Sequence, residues 1–436
     1  MTIQLRKASL MFVAGLNCLV ASAQFVVTSE LRPRGEIRYG YKNLATKEDD
    51  PAGFVSQRSR LNFGYKNAKM QTYVSLQNVS TWGDQRVMKG TKVNSDSSLT
   101  SVFEAWGEIS INKYSGIRLG RQSLMIEDHR LLTSGEWNQG ASFLDGMMYR
   151  YENDSIGKLR VFGSYNAERE DVFLANLPTS KLKTFNFIHF KKDIGSLLNF
   201  SLVCVISGYQ KVNDKDKLFI QNTYGGYINF LYKNPVSFGV SGFYQNGENK
   251  TGVITRAYFV NAYVKYAKDP FEAILGFDML SGQNQTSTDK DYTKYSHTFD
   301  VLLGTQHSHY GFIDQWTTTF NKAGLINPFV KTNTKFLKVH AIRVNYNYLM
   351  SQSDVFEDAA SGTKYDRFLG HEIDIVWNWK INPDVTFDLG YSYFKPSESF
   401  KLQKKVPGAL DNQQWAWVQI AFKPKLFDSS KYQEKQ

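Results

Sequence analysis

The chain reads as all-β, a transmembrane up-and-down antiparallel β-barrel of about 18 strands. Three features predict this: side chains alternate at a period of two from end to end, connections fall into a short and a long class, and an export leader precedes a chain with no apolar run long enough for a membrane helix.

The leader comes first. Arg6 and Lys7 form a basic start, Ala8 to Val20 is apolar, and Ala21-Ser22-Ala23 offers a small-x-small cleavage pattern before Gln24. Residues 1–23 are therefore expected to be a signal peptide, 24–427 the barrel and 428–436 a polar tail. Removing the leader takes Arg6 and Lys7 and no acid, so the remainder stays strongly basic, within two charges of the +11 of the whole chain. It also removes Cys18 and leaves only Cys204, which excludes an intramolecular disulfide. Aromatic residues make up 15% of the chain while all hydrophobics reach only 42%, a balance that suits strands with one greasy and one wet face.

The first strand shows the pattern. In "LRPRGEIRYGYKN" Arg32, Arg34, Glu36 and Arg38 alternate with Leu31, Ile37 and Tyr39. Residues two apart share a face of a strand and nearly oppose each other on a helix, so the segment is a strand with one charged and one apolar side. "FVSQRSRLNFGYKN" repeats it, with Arg58 and Arg60 against Leu61, Phe63 and Tyr65. "SVFEAWGEISINK" sets Glu104, Trp106 and Glu108 against Phe103, Ala105 and Ile109. Arg118, Arg150, Arg160 and Arg343 fall on the charged faces of later strands, as do Glu372 and Asp374 in "FLGHEIDIVWNWK". Cys204 alternates with Leu202 and Ile206 on an apolar face. Trp415 and Trp417 stand opposite Ala416 and Val418, where they either join an aromatic girdle or fill the lumen.

Short connections such as "KNAK", "YKNPV", "AKDP" and "INPD" carry turn residues. Long polar ones, among them 44–53, 80–100, 123–140, 169–183, 281–296, 351–367 and 395–412, alternate with them. Short turns at one end and long loops at the other are the pattern of an outer-membrane barrel in a gram-negative-type envelope. Parity places Tyr310 to Lys335 at the periplasmic end, where its length implies either a miscounted strand or a loop folding back as a plug.

The segments Phe54–Asp84, Phe103–Leu132, Glu136–Gly146, Phe299–Asp314 and Leu369–Phe394 together resemble the alginate-export family of outer-membrane proteins. The Gly120-Arg121-Gln122 turn and the His307–Asp314 stretch carry most of that likeness. The resemblance implies an 18-stranded porin-like barrel, an electropositive lumen, a plugging loop and passage of an anionic uronate polymer.

In such a barrel Arg32, Arg34, Arg38, Arg58, Arg60, Arg118, Arg150, Arg160 and Arg343 would line the lumen, with Glu36, Glu104, Glu108, Glu372 and Asp374 among them. Arginine suits carboxylate cargo because its planar fork binds both oxygens and stays charged. The alternative for each is pairing with a neighbouring acid to stiffen the wall. The first two strands, read as five inward arginines against one inward glutamate, make the expected selectivity face. His307 and His309 share a parity but lack a third ligand, and "EDHR" at 127–130 lies in a polar loop without a nucleophile. No metal, cofactor, nucleic acid or enzymatic turnover is expected. The expected surroundings are outer-membrane lipid, anionic small molecules or acidic saccharides, and envelope protein partners if the barrel serves as a non-conducting subunit.

Overall fold

Successive strands of 8 to 16 residues turn one row of side chains in and one out, and they close on themselves. The computed structural model describes residues 23–83, 100–174, 177–178, 181–211 and 214–430. The expected leader up to residue 22, most of the expected 80–100 loop and the end of the expected tail lie outside them. The strands are β1 (Gln24–Tyr39), β2 (Ala52–Lys66), β3 (Met70–Thr81), β4 (Thr100–Ser110), β5 (Ser115–Gln122), β6 (Leu144–Asn153), β7 (Gly157–Tyr165), β8 (Thr184–Ile194) and β9 (Leu198–Gln210). There follow β10 (Leu218–Phe230), β11 (Val236–Glu248), β12 (Ile254–Lys268), β13 (Phe271–Leu280), β14 (Leu325–Phe336), β15 (His340–Met350), β16 (Phe368–Asn382), β17 (Val385–Pro396) and β18 (Gln413–Phe422). Each pairs antiparallel with its sequence neighbour, and β18 pairs with β1 to close an 18-stranded barrel. Lys425–Asp428 continues that last pairing beside Val26 and Val27.

The apolar rows face outward. Ile109, Leu119, Leu202 and Leu275 are each more than half exposed, an arrangement that water would penalise and a bilayer rewards. Cys204 lies in the same outer row of β9, partly exposed. Near the short-turn end Trp377 and Trp379 lie parallel at 6.3 Å, with Phe387 and His340 beside them, and form part of a girdle. Trp415 and Trp417 instead point inward and are buried. A closed barrel with this outer band is an outer-membrane protein.

Two expectations are corrected here. Phe103 does not face lipid: a bulge opposite Ser75 and Leu76 lets it turn inward beside Glu104, where it lies under the Arg60 guanidinium at 3.8 Å. The segment Tyr310 to Lys335 is not a periplasmic connection, since its second part is a strand that runs down to the short-turn end. Residues 281–324 form one connection from the long-loop end, and β14 begins at Leu325. That connection folds down into the lumen, where Phe299, Val301, Tyr310, Ile313 and Trp316 are buried.

The core therefore sits inside the barrel. Leu124, Ile126, Leu131 and Leu132, from the connection 123–143, pack there with Phe162, Phe185 and Phe187 of the wall.

Candidate substrate passage

β1 and β2 form the wall that the sequence marks as most basic. Their register sets Arg32 directly opposite Arg58, and Glu30 opposite Arg60. Two guanidiniums face to face on one wall need anions between them, and the fold supplies two. Glu30 accepts from Arg58 at 2.6 Å, and Glu136, from the connection 123–143, accepts from Arg58 at 2.8 Å and Arg60 at 2.9 Å. Arg32 donates to the carbonyls of Glu136 at 2.8 Å and Asn138 at 3.0 Å and to the side chain of Gln139 at 2.9 Å. Arg34 bonds Glu36 and the carbonyl of Trp137, both at 3.0 Å, and covers the Trp137 ring at 4.6 Å. Glu36 also takes Arg38 at 2.7 Å and the Trp415 indole at 3.1 Å.

All five arginines point inward as expected, but four of them, Arg32, Arg34, Arg58 and Arg60, are buried beneath the loop they hold. Arg38 alone keeps about a third of its side chain exposed, stacked on Tyr41 at 4.2 Å. The acids on this wall number more than the sequence reading counted: Glu30 is inward too, and Glu136 arrives from a loop. Five guanidiniums meet three carboxylates, so the wall stays net positive. Glu30 has the parity of Arg32 and was legible; Glu136, Trp137 and Gln139 had no local signal.

The other arginines form smaller groups toward the short-turn end. Glu108 bridges Arg118 at 2.9 Å and Arg150 at 2.5 Å, and Arg118 lies over Trp106 at 3.7 Å. Glu104 accepts from the Trp106 indole and the Ser123 amide, not from an arginine. Arg160 donates to His189 Nδ1 at 2.8 Å, which leaves His189 Nε2–H to donate to Glu127 at 2.8 Å. Lys191 joins Glu127 at 2.8 Å. Burial opposes the charge on Glu127, but the hydrogen bonds from His189 and Lys191 outweigh it and bring its pKa down to about 2. Arg343 lies on the inner row of β15, solvent-exposed.

Among the described residues Glu372 and Asp374 pair with no arginine, so the alternative of a stiffening ion pair does not apply to them. They hold the in-folded connection: Glu372 accepts the Ile313 amide at 2.7 Å, while Asp374 takes the Ser392 hydroxyl at 2.6 Å and the Phe312 amide at 3.4 Å. The "EDHR" segment is likewise an anchor. Arg130 binds Asp128 at 2.7 Å and Asp278 of β13 at 2.9 Å, and Tyr227 of β10 donates to Asp128 at 2.9 Å. The connection 123–143 is thus fixed to β1 and β2 at one end and to β8, β10 and β13 at the other.

The two histidines do not share a strand. His307 stacks between Trp137 at 5.2 Å and Phe312 at 4.8 Å and meets Asp314 at 3.1 Å. His309 is buried and donates from Nε2 to the Asp128 carbonyl at 3.0 Å. Burial, with Arg130 beside it, holds its pKa well below the ordinary value, so it is neutral. A cavity of about 850 Å³ opens above these groups, bounded by Lys42, Glu136, Trp137, His307, Asp314 and Lys404. A second, of about 790 Å³, lies at the short-turn end beside Lys66, Lys69, Glu108 and Arg150.

A closed 18-stranded barrel, apolar outside and charged inside, with loops folded into its lumen, defines a porin-like outer-membrane barrel. Solved structures share that architecture. OpdK of Pseudomonas aeruginosa with vanillate is 10% identical, with a TM-score of 0.59 over 93% of this chain and 99% of that one. OpdL of the same organism is 9% identical, with a TM-score of 0.62 over 92% and 99%. OccAB4 of Acinetobacter baumannii is 12% identical, with a TM-score of 0.59 over 93% and 98%. The likeness at these identities is one of fold. No protein-family model and no curated protein matches the chain, so the alginate-export resemblance stands on its motifs alone.

Proposed function

We propose that the protein is a channel through which small anionic solutes, carboxylates foremost, diffuse across the outer membrane. The observation that carries this is the net positive wall of β1 and β2, five guanidiniums against three carboxylates, at the level where the connection 123–143 narrows the lumen. Low-dielectric walls strengthen the field of such an excess at a constriction. The in-folded loops favour small cargo over the uronate polymer that the alginate-export resemblance implies, and short acidic saccharides mark the upper end of that range. Vanillate, the carboxylate in the OpdK structure, is a reasonable first solute to try.

Conductance of the purified protein in planar bilayers under a salt gradient tests this. The expected result is steady conductance with an anion-selective reversal potential that weakens when Arg38, Arg118 and Arg343 become Gln. The clamping arginines are poor probes, since removing them disturbs the loop as well as the charge. A second reading, a non-conducting barrel that serves as a subunit of an envelope complex, draws on the filling of mid-lumen by two loops. Absence of conductance would favour it.

A further inference from the structure

The two in-folded connections are joined to each other as well as to the wall. The Leu303 amide donates to the Leu131 carbonyl at 3.2 Å, and its own carbonyl accepts from Thr133 at 3.1 Å. Thr305 donates to the His129 carbonyl at 2.9 Å, and Leu132 and Leu303 sit side by side as in a parallel sheet. At Gly304 a Cβ would stand 1.9 Å from the Arg130 carbonyl, so only glycine permits this approach. Arg130 reaches the Tyr310 hydroxyl at 3.3 Å. Above this seam, Arg34, Trp137, His307 and Phe312 form four stacked planes that cross from the β1 wall through one loop into the other. The edges of Trp415 and Trp417 close against Trp137. The cavities above and at the short-turn end share no lining residue.

We propose that this seam is the channel's gate: conduction requires residues 303–312 to part from residues 129–137, with the Trp137–His307 stack as the contact that closes it. The proposal rests on the channel reading. The unequal anchoring of the two sides says which one moves. Connection 123–143 is bolted by ion pairs to Arg58, Arg60, Lys191 and Asp278. Among the described residues, segment 303–312 has no ion pair to the wall and is held by hydrogen bonds, ring contacts and apolar packing, the Glu372 and Asp374 bonds lying at its end.

A reversible cross-link tests the gate. Residues paired across strands lie about 4.8 Å apart, within disulfide reach, so Leu132→Cys with Leu303→Cys can bridge the seam. Cys204→Ser in the same chain removes the competing thiol. The oxidised protein is expected to lose its conductance in planar bilayers and to regain it on reduction. His307→Ala, which removes the stack, is expected to raise open probability. A confirmed cross-link with equal conductance in both redox states overturns the gate and leaves the channel reading intact. If the double variant fails to fold, unchanged open probability in His307→Ala and Trp137→Ala overturns it instead. No conductance from the unmodified protein, from His307→Ala or from the reduced variant overturns the channel reading, and the gate falls with it.

Discussion

Arg58 holds Glu136 at 2.8 Å, and this pair joins the barrel wall to a loop 78 residues further along the chain. Arg58 has no solvent exposure, and Glu30 takes the rest of its charge at 2.6 Å. Without Arg58, Glu30 keeps only the longer contacts to Arg32 at 3.7 Å and Lys423 at 3.8 Å, while the half-exposed Glu136 keeps Arg60 at 2.9 Å. The cost therefore stays below the about 3–5 kcal/mol of a fully stranded buried charge. Arg58→Ala should still lower the urea midpoint of the reconstituted barrel beyond the effect of Arg343→Ala. Equal midpoints for the two variants would show that the clamp carries no stability.

Arg343 is the complementary case, an inward guanidinium that is exposed. Arg343→Glu should shift the reversal potential toward cations and leave the unfolding midpoint unchanged. Each unit of charge about 8 Å from a permeating ion in water contributes about 0.5 kcal/mol, and the change from Arg to Glu is two units, about 1 kcal/mol, so anion preference should fall about fivefold. Raising the salt concentration should shrink that difference. An unchanged reversal potential at low salt would place the selectivity elsewhere.

Acid should loosen the loop at Glu127. Its pKa falls from 4.5 to about 2 in the fold, so its stabilisation is complete above about pH 4.5 and disappears as the pH drops toward 2. The shift corresponds to about 3 kcal/mol at most. Protease cleavage within residues 123–143 should accelerate between those two pH values in the unmodified protein. Glu127→Gln should be cleaved readily at neutral pH and show little further change on acidification. A parallel pH dependence in both proteins would remove Glu127 from the account.

The outer surface offers a test that does not involve the lumen. Leu202 is 58% exposed in the lipid-facing row of β9. Leu202→Arg should destabilise the barrel in a bilayer by about 2–4 kcal/mol, measured by reversible unfolding. Cys204, two residues on, should react with a lipid-soluble maleimide and resist a charged one. Reaction with both reagents at equal rates would put that row in water.

Much of the barrel could be read residue by residue, because a strand's side chains point where local geometry sends them. Arg32, Arg34 and Arg58 inward, Leu31, Ile37 and Leu202 outward, and the aromatic pair Trp377 and Trp379 near a rim all follow from parity. Parity failed where the ladder is irregular or absent. One extra residue at the bulge turned Phe103 inward, and the stretch from Tyr310 belongs to a loop that folds in from the long-loop end. Parity set Trp415 and Trp417 opposite Ala416 and Val418 but left girdle and lumen open, and their packing on Trp137 had no signal, since that ring comes from a connection without a period.

The sequence by itself determined a two-faced β chain of outer-membrane type with a basic inner wall, because alternation and turn chemistry are local properties. Only the tertiary structure decided which inward charges are free and which serve as clamps. That choice depends on where Glu136, Asp128 and Ile313 come to rest, far along the chain from Arg58, Tyr227 and Glu372. A buried charge must find its partner wherever the fold brings one, and no spacing in the sequence records that meeting.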